Sequence, residues 1–509
     1  MMGPVPALVS LVGAGPGDPG LLTLRAAECL AEADFVLYDR LVPPRLLDFA
    51  RPGAECVCVD TLAPTHPERG PHVHRTLIEA ARQGKRVVRL KGGDPLLFGR
   101  GAEEAEALRQ AGVPFEIVPG VTAALGAAAC AGIPLTDRRL ASAVAFVAGH
   151  ESPGKPGSAL DWPALARFPG TLVFYMGVTR LPDIARALLD HGMAPGTPAA
   201  VVHRATTAAQ RTVEAPLAEL PAAAEAAGAA APSLVLVGPV VAARRHLAWF
   251  EQRPLFGKRV LVTRPRHQAG ELVRRLERLG AEVSLLPAVE VRDPADWGPT
   301  DRALAALGQY QWVVFTSSNG VHALVRRLRQ LGRDLRALGP VKVAAIGPAT
   351  AEALRGYHLE PDLIPPEYRS ESLAAALRER VAGQRVLLAR ADRGRELLRQ
   401  ELAAVAEVEQ VAVYSQADAI DESSPVLGQL RRGETEYVTL TSSNIARAVI
   451  QALGETGRAL VGKGVIKLVS ISPVTSADVR RQGLPVAAEA TEYTAAGVVE
   501  ALVRLAAGS

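Results

Sequence analysis

Beyond residue 257 the chain alternates short apolar runs with longer amphipathic stretches. Runs such as Val260–Thr263 and Val313–Thr316 are rich in β-branched residues, whereas the segment "AGELVRRLERLG" repeats its apolar residues every three or four positions. The first pattern predicts buried strands, and the second predicts amphipathic helices. Strands that alternate with helices in this way are typical of βαβ units, so the pattern predicts an α/β fold with parallel sheets.

The sequence beyond residue 257 contains an internal repeat. Four blocks recur in the same order, the first at an offset of 126 residues and the others at an offset of 125. A constant offset over four blocks indicates two homologous lobes. The paired blocks are "GKRVLVTR" (257–264) with "GQRVLLAR" (383–390), "WVVFTSSNGVHAL" (312–324) with "YVTLTSSNIARAV" (437–449), "KVAAIGPATAEAL" (342–354) with "KLVSISPVTSADV" (467–479), and "EYRSESLAAAL" (367–377) with "EYTAAGVVEAL" (492–502).

Hydroxyl-rich turns follow several of the predicted strands in this repeat. They are "TSSN" at 316–319 and 441–444, "GPAT" at 347–350 and "SPVT" at 472–475, and arginines follow other strand ends at Arg264 and Arg390. Each turn opens a helix, where free N–H groups and the helix dipole favour an anion. The alternative is that Ser and Thr simply cap the helices. Four such turns in two lobes predict a cleft for a ligand with several carboxylates, and the absence of a Walker lysine argues against a nucleoside triphosphate.

This half of the chain, about 255–509, resembles uroporphyrinogen-III synthase in "VLVTRP", "VVFTSSNGV", "AIGPATAEAL" and "VAVYSQ". The resemblance implies two flavodoxin-like parallel-sheet lobes, one from 257–288 plus 415–509 and one from 289–414. It also implies an enzyme without a cofactor that closes hydroxymethylbilane into a macrocycle and inverts the last ring. Tyr414 matches the tyrosine that helps the hydroxyl leave, and we expect its hydroxyl to face the cleft. The expected substrate-binding residues are Arg264, Ser317, Ser318, Arg390, Ser442 and Thr475.

The opening loop "GAGPGDPG" (13–20) follows an apolar run and at first suggests a dinucleotide site. Asp18, however, stands where the third glycine of GxGxxG belongs, and two prolines stiffen the loop. Two more stretches place glycine turns after predicted strands: "VRLKGGDPLLFGRGAEE" (88–104) and "IVPGVTAALGAAACAGIPLTDRR" (117–139). Glycines in such turns are expected where the main chain itself contacts a ligand.

Together these blocks resemble uroporphyrinogen-III C-methyltransferase, of the tetrapyrrole methylase family, across residues 5–245. The resemblance implies two α/β lobes, about 1–115 and 116–245, followed by a linker at 246–256, with S-adenosylmethionine bound between the lobes. It implies that Asp39 accepts a proton and that Arg100, Glu103 and Arg138 hold the carboxylates of the tetrapyrrole. The implied cofactor residues are Pro16, Gly92, Gly93, Asp94, Leu97, Thr122, Ala123, Met176 and Ala205.

One region departs from the family pattern. Thr61 stands at the position of a lysine sometimes assigned as proton donor, and Gly70 and His74 replace a Gln and an Asn of the family. This leaves His66, His72 and His74 in what we expect to be a Pro-rich loop. A metal site there is one interpretation, but solvated histidines are the more common outcome, so no metal is expected.

The composition narrows the class of protein. Apolar residues make up 48% of the 509-residue chain and charged residues 22%, with a net charge of +4. These values describe a folded protein without the basic face that nucleic acid requires. No apolar run is long enough for a membrane helix, no leader pattern or dehydrogenase module is expected before Gly13, and the four cysteines form no CxxC pair, which together favour the cytoplasm.

The two resemblances fit one function, because the product of one half is the substrate of the other. We therefore expect a bifunctional enzyme that makes uroporphyrinogen III and methylates it at carbons 2 and 7 to precorrin-2, on a route to siroheme or cobalamin. We also expect a homodimer formed through the methyltransferase half. Two alternatives remain open: methylation of a later corrinoid, against which "GRGAEE" argues, and a C-terminal half that only senses tetrapyrroles.

Overall fold

The computed structural model describes residues 7–62, 66–149, 160–393 and 396–508, and for 66–69 it describes the main chain alone. The chain forms two compact units, Met1–Gly257 and Lys258–Ser509, and each is described by itself. No helix among the described residues is both long and apolar enough to span a membrane.

The first unit opens with a fully parallel five-stranded sheet in the order β3-β2-β4-β1-β5. The central strands β1 and β4 are buried along their whole length, which is why they read as apolar runs. The strands are β1 (Val9–Gly13), β2 (Phe35–Tyr38), β3 (Glu55–Cys58), β4 (Val87–Lys91) and β5 (Phe115–Val118), and the helices are α1 (Leu24–Glu32), α2 (His66–Arg82) and α3 (Gly101–Gln110).

A second five-stranded sheet, in the order β6-β7-β10-β8-β9, completes this unit, and only β6 and β7 pair in parallel. Helix α6 shows why the periodic segments are helical, since its buried residues Leu181, Ile184, Ala185 and Leu188 form one stripe. The elements are β6 (Val144–Ala148), β7 (Thr171–Tyr175), β8 (Pro198–His203), β9 (Arg211–Pro216), β10 (Ser233–Val237), α4 (Ala123–Ala131), α5 (Trp162–Ala166), α6 (Leu181–Asp190), α7 (Leu220–Ala226) and α8 (Arg244–Leu247).

The second unit also contains two five-stranded sheets. Its strands are β11 (Arg259–Val262), β12 (Glu282–Leu285), β13 (Val289–Arg292), β14 (Trp312–Phe315), β15 (Lys342–Ala345), β16 (Arg385–Ala391), β17 (Glu407–Asp418), β18 (Tyr437–Leu440), β19 (Lys467–Ser470) and β20 (Ala488–Glu489). Its helices are α9 (Arg266–Arg278), α10 (Gly298–Ala305), α11 (Ser318–Gln330), α12 (Pro348–Arg355), α13 (Ser370–Arg378), α14 (Leu397–Ala403), α15 (Pro425–Arg431), α16 (Ser443–Gly462), α17 (Pro473–Arg481) and α18 (Ala495–Ala507).

The internal repeat explains how these two sheets are arranged. One sheet has the order β12-β11-β18-β19-β20, and the other has β13-β17-β16-β14-β15. The repeat pairs β11 with β16, β18 with β14 and β19 with β15, so repeated segments occupy the same spatial order in both lobes. Only β13 pairs antiparallel, at the outer edge of its sheet. The first lobe has the 2-1-3-4-5 strand order of flavodoxin-like folds, in which ligands bind beyond the strand ends.

The predicted linker at 246–256 is wrong, because this segment packs against the first unit. Phe250 and Leu255 are buried, and the indole N–H of Trp249 donates to the carbonyl of Ala129. Glu251 accepts hydrogen bonds from Gln210, Thr212 and Arg244. The sequence suggested a linker because of its proline and glycine, yet its aromatic residues supply apolar surface that the unit buries.

We expect Glu251→Ala to destabilise the first unit by about 1–3 kcal/mol, because it removes the carboxylate that pairs with the buried Arg244 guanidinium. Hydrogen exchange of the β9 amides in the full chain measures this loss, since it reports on the first unit alone. Glu225→Ala, at an exposed position of α7, is the matched control. Equal exchange rates in both variants would contradict a structural role for this segment.

Candidate functional sites

The first candidate site is built from three turns at the carboxyl ends of β1, β4 and β5. The N–H of Gly93 donates to the carbonyl of Gly15 at 2.8 Å, and the N–H of Gly15 donates back at 3.2 Å. A Cβ on Gly13 would lie 2.5 Å from the main chain of Gly120, and one on Gly120 would lie 2.2 Å from the Gly93 oxygen. Main chains can approach this closely only at glycine.

The same cradle leaves one side open. A Cβ on Gly92 would have no neighbour nearer than the Cβ of Leu41, at 4.0 Å. The Asp94 carboxylate fixes the turn, since its Oδ1 accepts from the N–H of Leu96 at 2.9 Å and its Oδ2 from the N–H of Gly120 at 3.1 Å. Asp94 therefore shapes the predicted cofactor turn through the main chain, and Gly92 provides room beside it.

The second lobe contributes the other wall of this site. The hydroxyls of Tyr175 and Thr122 share a hydrogen bond of 2.6 Å, and the N–H of Ala124 donates to the Tyr175 oxygen at 3.1 Å. Burial raises the pKa of Tyr175, so this phenol stays protonated. The predicted cofactor residues Leu97, Ala123 and Ala205 line the partly buried rim of the core cluster that contains Tyr175.

Pro16 joins the two lobes. A Cβ on Gly126, in α4, would lie 2.6 Å from the Pro16 ring, and the N–H of Asp18 donates to the Thr206 hydroxyl at 3.1 Å. The opening loop of the first lobe is thus locked against α4 and the end of β8. These contacts bring Pro16, the glycine turns and the start of α4 together around one cleft.

Main-chain strain is concentrated at the edges of this cleft. Phe98, Arg100 and Met176 have φ values of 55°, 58° and 57°, and Thr206 has 70°. Non-glycine residues adopt this left-handed region at a cost of about 1–3 kcal/mol, which is characteristic of functional sites. The Phe98 ring contacts the Tyr175 ring in a tilted arrangement, with 4.9 Å between centroids and 49° between planes, and the Met176 side chain is half exposed.

Of the predicted catalytic and carboxylate-binding residues, Asp39, Arg100 and Glu103 lie in the first lobe and Arg138 lies in the second. Asp39 follows β2, is partly exposed, and accepts a hydrogen bond from Arg89 Nη2 at 2.5 Å. Arg100 and Glu103, both predicted to face the substrate, bind each other at 2.6 Å. The Arg100 hydrogen bond lowers the pKa of Glu103, so a substrate carboxylate at Arg100 would compete with a charged partner. Arg138 is exposed in the turn after α4.

The structure corrects the prediction that the three histidines lie in a loop. They belong to α2, which begins at His66 and contains Pro71, and the side chain of His66 lies outside the described residues. Burial lowers the pKa of His74, which favours a neutral imidazole. Thr61 donates its hydroxyl to the carbonyl of Cys58 at 2.7 Å, so it is part of the preceding turn. Among side chains that the structure describes, no cluster of three metal-ligand groups occurs.

In the second unit, the hydroxyl turns act as helix caps. Ser317 accepts from the N–H of Gly320, Ser442 from that of Ile445, and Ser472 from that of Thr475. Ser318 begins α11, and Thr475 is buried with its hydroxyl 3.2 Å from Ser472 Oγ. The capping interpretation therefore accounts for these serine oxygens. The turns still lie at the carboxyl ends of the strands, where ligands bind in folds of this kind.

Tyr414 is more buried than we expected. Its side chain is 4% exposed, and its hydroxyl is not free but paired with Ser317 Oγ at 2.9 Å, in the turn that follows β14. Burial raises the pKa of Tyr414, while Ser317, Arg390 and Asn319 oppose that shift. The physical reason is that β17 continues to Asp418 and carries Tyr414 into the sheet instead of to its border.

Two arginines line the strand ends of this unit. Arg390, at the end of β16, is 6% exposed, and its Nη1 lies 3.4 Å from Gln410 Oε1. Burial lowers the pKa of Arg264, which follows β11, and Glu271 only partly offsets this. Arg390 Nη1 also lies 4.0 Å from Glu396 Oε1, so an anionic partner is already near it. Buried guanidinium groups favour anionic partners, and contacts of both arginines with a substrate stay a prediction.

Amide pairs connect the two lobes of the second unit. Gln268 on α9 donates to Asn319 of the first "TSSN" turn, and Asn444 of the second turn donates to Gln416 at 2.6 Å. Each asparagine thus contacts a glutamine of the opposite lobe, because β17 runs on to Asp418 and places Gln416 in the sheet of the second lobe, beyond the predicted boundary at 414. Sequence reasoning identified the turns but missed these pairs, because no motif joins residues so far apart in the chain.

Two further omissions left a signal in the sequence. Arg89 and Lys91 are charges inside an otherwise apolar strand, "VVRLK", and buried charges require partners. Tyr175 ends the apolar run "TLVFY", where a buried phenol requires a partner for its hydroxyl. A polar group inside an apolar strand is therefore the sequence signal for the β4 charges and for the Tyr175 phenol.

The comparisons with known proteins match this division of the chain. The family model of tetrapyrrole (corrin/porphyrin) methylases matches residues 8–221, and that of uroporphyrinogen-III synthase HemD matches residues 270–500. The porphyrin biosynthesis protein HemD of Ruminiclostridium josui is 35% identical over 452 residues, which is 87% of this chain and 88% of the relative. The siroheme synthase of Pseudomonas putida (strain F1) is 51% identical over 243 residues, or 48% of this chain and 52% of that protein.

The chain therefore spans about half the length of the siroheme synthases that it matches. Among solved structures, uroporphyrin-III C-methyltransferase from Thermus thermophilus is 41% identical, with 48% of this chain and 97% of that chain covered and a TM-score of 0.40. Wild-type uroporphyrinogen III synthase from the same species is 20% identical, with coverage of 49% and 98% and a TM-score of 0.33.

These matches define a two-module α/β protein in which a tetrapyrrole methylase precedes a uroporphyrinogen-III synthase module. The chain belongs to the family of the Ruminiclostridium josui porphyrin biosynthesis protein. The predicted families, the α/β fold class and the assignment to bifunctional tetrapyrrole biosynthesis are confirmed.

Proposed function

We propose that the second unit closes hydroxymethylbilane to uroporphyrinogen III, and that the first unit methylates this product at carbons 2 and 7 to give precorrin-2. The observation that carries the proposal is that one chain joins a module of the synthase family to one of the methylase family. The names of the relatives, a porphyrin biosynthesis protein and siroheme synthases, support it.

S-adenosylmethionine is the methyl donor that we propose for the first unit, and when bound it supplies an electrophilic methyl group. The open side of the exposed Gly92 and the apolar rim around Tyr175 suit a ligand with a polar end and an apolar face. The residues proposed to hold it are Pro16, Gly92, Gly93, Asp94, Leu97, Thr122, Ala123, Met176 and Ala205.

The other predicted side chains accept a proton or bind substrate carboxylates. Asp39 accepts the proton that the attacking ring carbon must lose, because it is the partly exposed carboxylate at the end of β2. Arg100, Glu103 and Arg138 orient the acetate and propionate groups of the substrate, for which guanidinium groups are suited. In the second unit, Arg264 and Arg390 bind carboxylates at strand ends, assisted by the turns that contain Ser317, Ser318, Ser442 and Thr475.

Tyr414 serves the second unit through its hydrogen bond to Ser317. In this arrangement the phenol assists loss of the substrate hydroxyl, and Ser317 fixes its direction. The two lobes otherwise catalyse by holding a reactive linear chain in the folded geometry that inverts the last ring.

Tyr175→Phe should weaken S-adenosylmethionine binding about fivefold to tenfold, because the start of α4 loses the hydroxyl that orients Thr122 and Ala124. Isothermal titration with S-adenosylmethionine measures the effect. Thr122→Val should cause a similar loss, and the double variant should add little because the two hydroxyls act as a pair. Fully additive losses would show that the pair does not act as one unit.

Incubation with hydroxymethylbilane and S-adenosylmethionine tests the whole proposal, and precorrin-2 is the expected product. Tyr414→Phe should lower type III isomer formation by about 10²–10³-fold, so that spontaneous closure to the type I isomer dominates, while supplied uroporphyrinogen III is still methylated. Separation of isomers by chromatography is the readout. Tyr437→Phe is the matched control, since the buried Tyr437 hydroxyl has no partner among the described residues. Unchanged isomer ratios in Tyr414→Phe would assign its hydroxyl a structural role only.

We also propose that the protein acts in the cytoplasm and forms a homodimer through the methylase unit. Support for the dimer comes from large apolar side chains that this unit exposes, among them Leu24, Leu41 and Leu125. Light scattering of the full chain should give twice the 53.6 kDa mass of one chain. A monomer mass at micromolar concentration would contradict the dimer.

A further inference from the structure

The central strand β4 carries two cations that the proposed function does not yet use. All five residues of β4 are buried, and Arg89 and Lys91 are only 4% and 2% exposed. Burying a charge is costly unless it is paired and hydrogen-bonded. A strand between two others could carry apolar residues at these positions, so the two cations indicate a purpose beyond the stability of the sheet.

Both cations belong to one chain of charges that crosses the lobe. Lys91 Nζ lies 2.8 Å from Glu104 Oε1, and Arg89 Nε lies 3.1 Å from the same oxygen. The other end of the Arg89 guanidinium reaches Asp39 Oδ1 at 2.5 Å. The order is therefore Lys91, Glu104, Arg89, Asp39, with three buried members and one partly exposed member at the cleft.

The main chain fixes the plane of the Arg89 guanidinium. Its Nη1 donates to the carbonyls of Leu37 at 3.4 Å and Leu90 at 3.2 Å. The same Leu90 carbonyl accepts from the N–H of Asp39 at 3.1 Å. The main chain of β2 and β4 thus holds Arg89 and Asp39 against each other. A guanidinium bonded in this way has few other positions available.

Glu104 completes the arrangement. Its Oε1 receives both cations, whereas its Oε2 is buried without a hydrogen-bond partner among the described residues. The carboxylate is therefore oriented by Lys91 and Arg89. Asp39 and Glu104 raise the pKa of Arg89 against its burial, so the guanidinium stays charged between them.

We propose that Arg89 is a positioning residue for the methylation reaction, held by Glu104 and Lys91, which fixes the direction and the charge of the Asp39 carboxylate at the cleft. The proposal rests on the proposed role of Asp39 as proton acceptor. It assigns a task to the "RLK" portion of the "VRLKGGDP" stretch, whose glycine portion forms the cofactor cradle.

Other charged groups face this chain from neighbouring elements. His74 on α2 interacts with Glu103 and Glu104, and burial lowers its pKa. Arg100 lies next to the same helix, near Gly70. Arg40 pairs with Asp60 at 3.5 Å, beside Asp39 in sequence. Arg89 is the group in direct contact with the Asp39 carboxylate, and these others act at longer range.

The experiment compares the pH dependence of methyl transfer in opposite charge variants, with uroporphyrinogen III and S-adenosylmethionine supplied to the full chain. Arg89→Gln removes a cation from Asp39 and favours the neutral carboxyl, so the acid limb of kcat should move up by about one to two pH units. Glu104→Gln removes an anion from Arg89 and favours the charged carboxylate, so its acid limb should move down. A merely structural defect would not move the two limbs in opposite directions.

Three further variants complete the test. Arg89→Lys keeps the charge but not the planar fork, so its limb should stay near that of the wild type while kcat falls about tenfold. KM for uroporphyrinogen III should change less than about threefold in all of these variants, because the buried Arg89 is proposed to act on Asp39 and not on substrate. Glu106→Gln, at the exposed Glu106–Arg109 pair of α3, is the matched control and should retain the wild-type profile. Asp39→Asn tests the role on which the inference rests.

The outcomes are distinguishable. Unmoved limbs, or limbs that move in the same direction, overturn the inference. If Arg89→Gln does not fold, the other two variants still test the inference. The acid limb must move down in Glu104→Gln and must stay near that of the wild type in Arg89→Lys. Full turnover in Asp39→Asn would overturn the proposed role of Asp39 itself, whereas loss of turnover there with a wild-type profile in Glu104→Gln would overturn only the role of Arg89.

Discussion

The close approach of three main-chain turns, at Gly13, Gly93 and Gly120, is the constraint on which the first unit depends. A Cβ on Gly13 would lie 2.5 Å from a main-chain atom, and one on Gly120 would lie 2.2 Å from another. Both distances are too short for any side chain. The turns lie together because β1, β4 and β5 run in parallel and their carboxyl ends meet at one edge of the sheet. The Asp94 carboxylate then bridges two of these turns, so the cradle is rigid before any ligand arrives.

The rest of that unit supports the cradle from two directions. Tyr175 and Thr206 bring the second lobe against it through hydroxyl groups, and the segment around Trp249 braces the far end of α4. The buried charges of β4 support the lobe from the strand that leads into the glycine turn after Lys91. Neutral hydroxyl contacts thus lie beside the apolar rim. The paired charges lie beside Asp39, the carboxylate that is proposed to accept a proton. Polar groups of both kinds are buried where partners are available to them.

Pattern in the sequence was sufficient for the architecture of the second unit, but it did not predict the mostly antiparallel second sheet of the first unit. The constant offset of the repeat predicted two homologous lobes, and repeated strands such as β14 and β18 do hold equivalent sheet positions. The glycine turns were predicted from residues that only a close approach would require. Where the sequence failed, the cause was tertiary context: the segment 246–256 gains apolar partners that no local pattern reveals, α2 tolerates Pro71 near its start, and Tyr414 is carried inward because β17 is longer than its apolar run suggests.

The second unit solves a different problem from the first. Its proposed substrate is long and carries carboxylates at every ring, so its anion sites must be spread over both lobes. The repeat provides such sites in both lobes, because equivalent turns follow equivalent strands in each lobe. Gln268–Asn319 and Asn444–Gln416 then connect the lobes through neutral amides, each worth about 1 kcal/mol. Neither pair uses the charge of Arg264 or Arg390, the two arginines that are proposed to bind carboxylates. The Tyr414–Ser317 hydrogen bond adjoins one of these amides, since Ser317 and Asn319 belong to the same turn. A single turn therefore carries both a contact between the lobes and the partner of the Tyr414 hydroxyl.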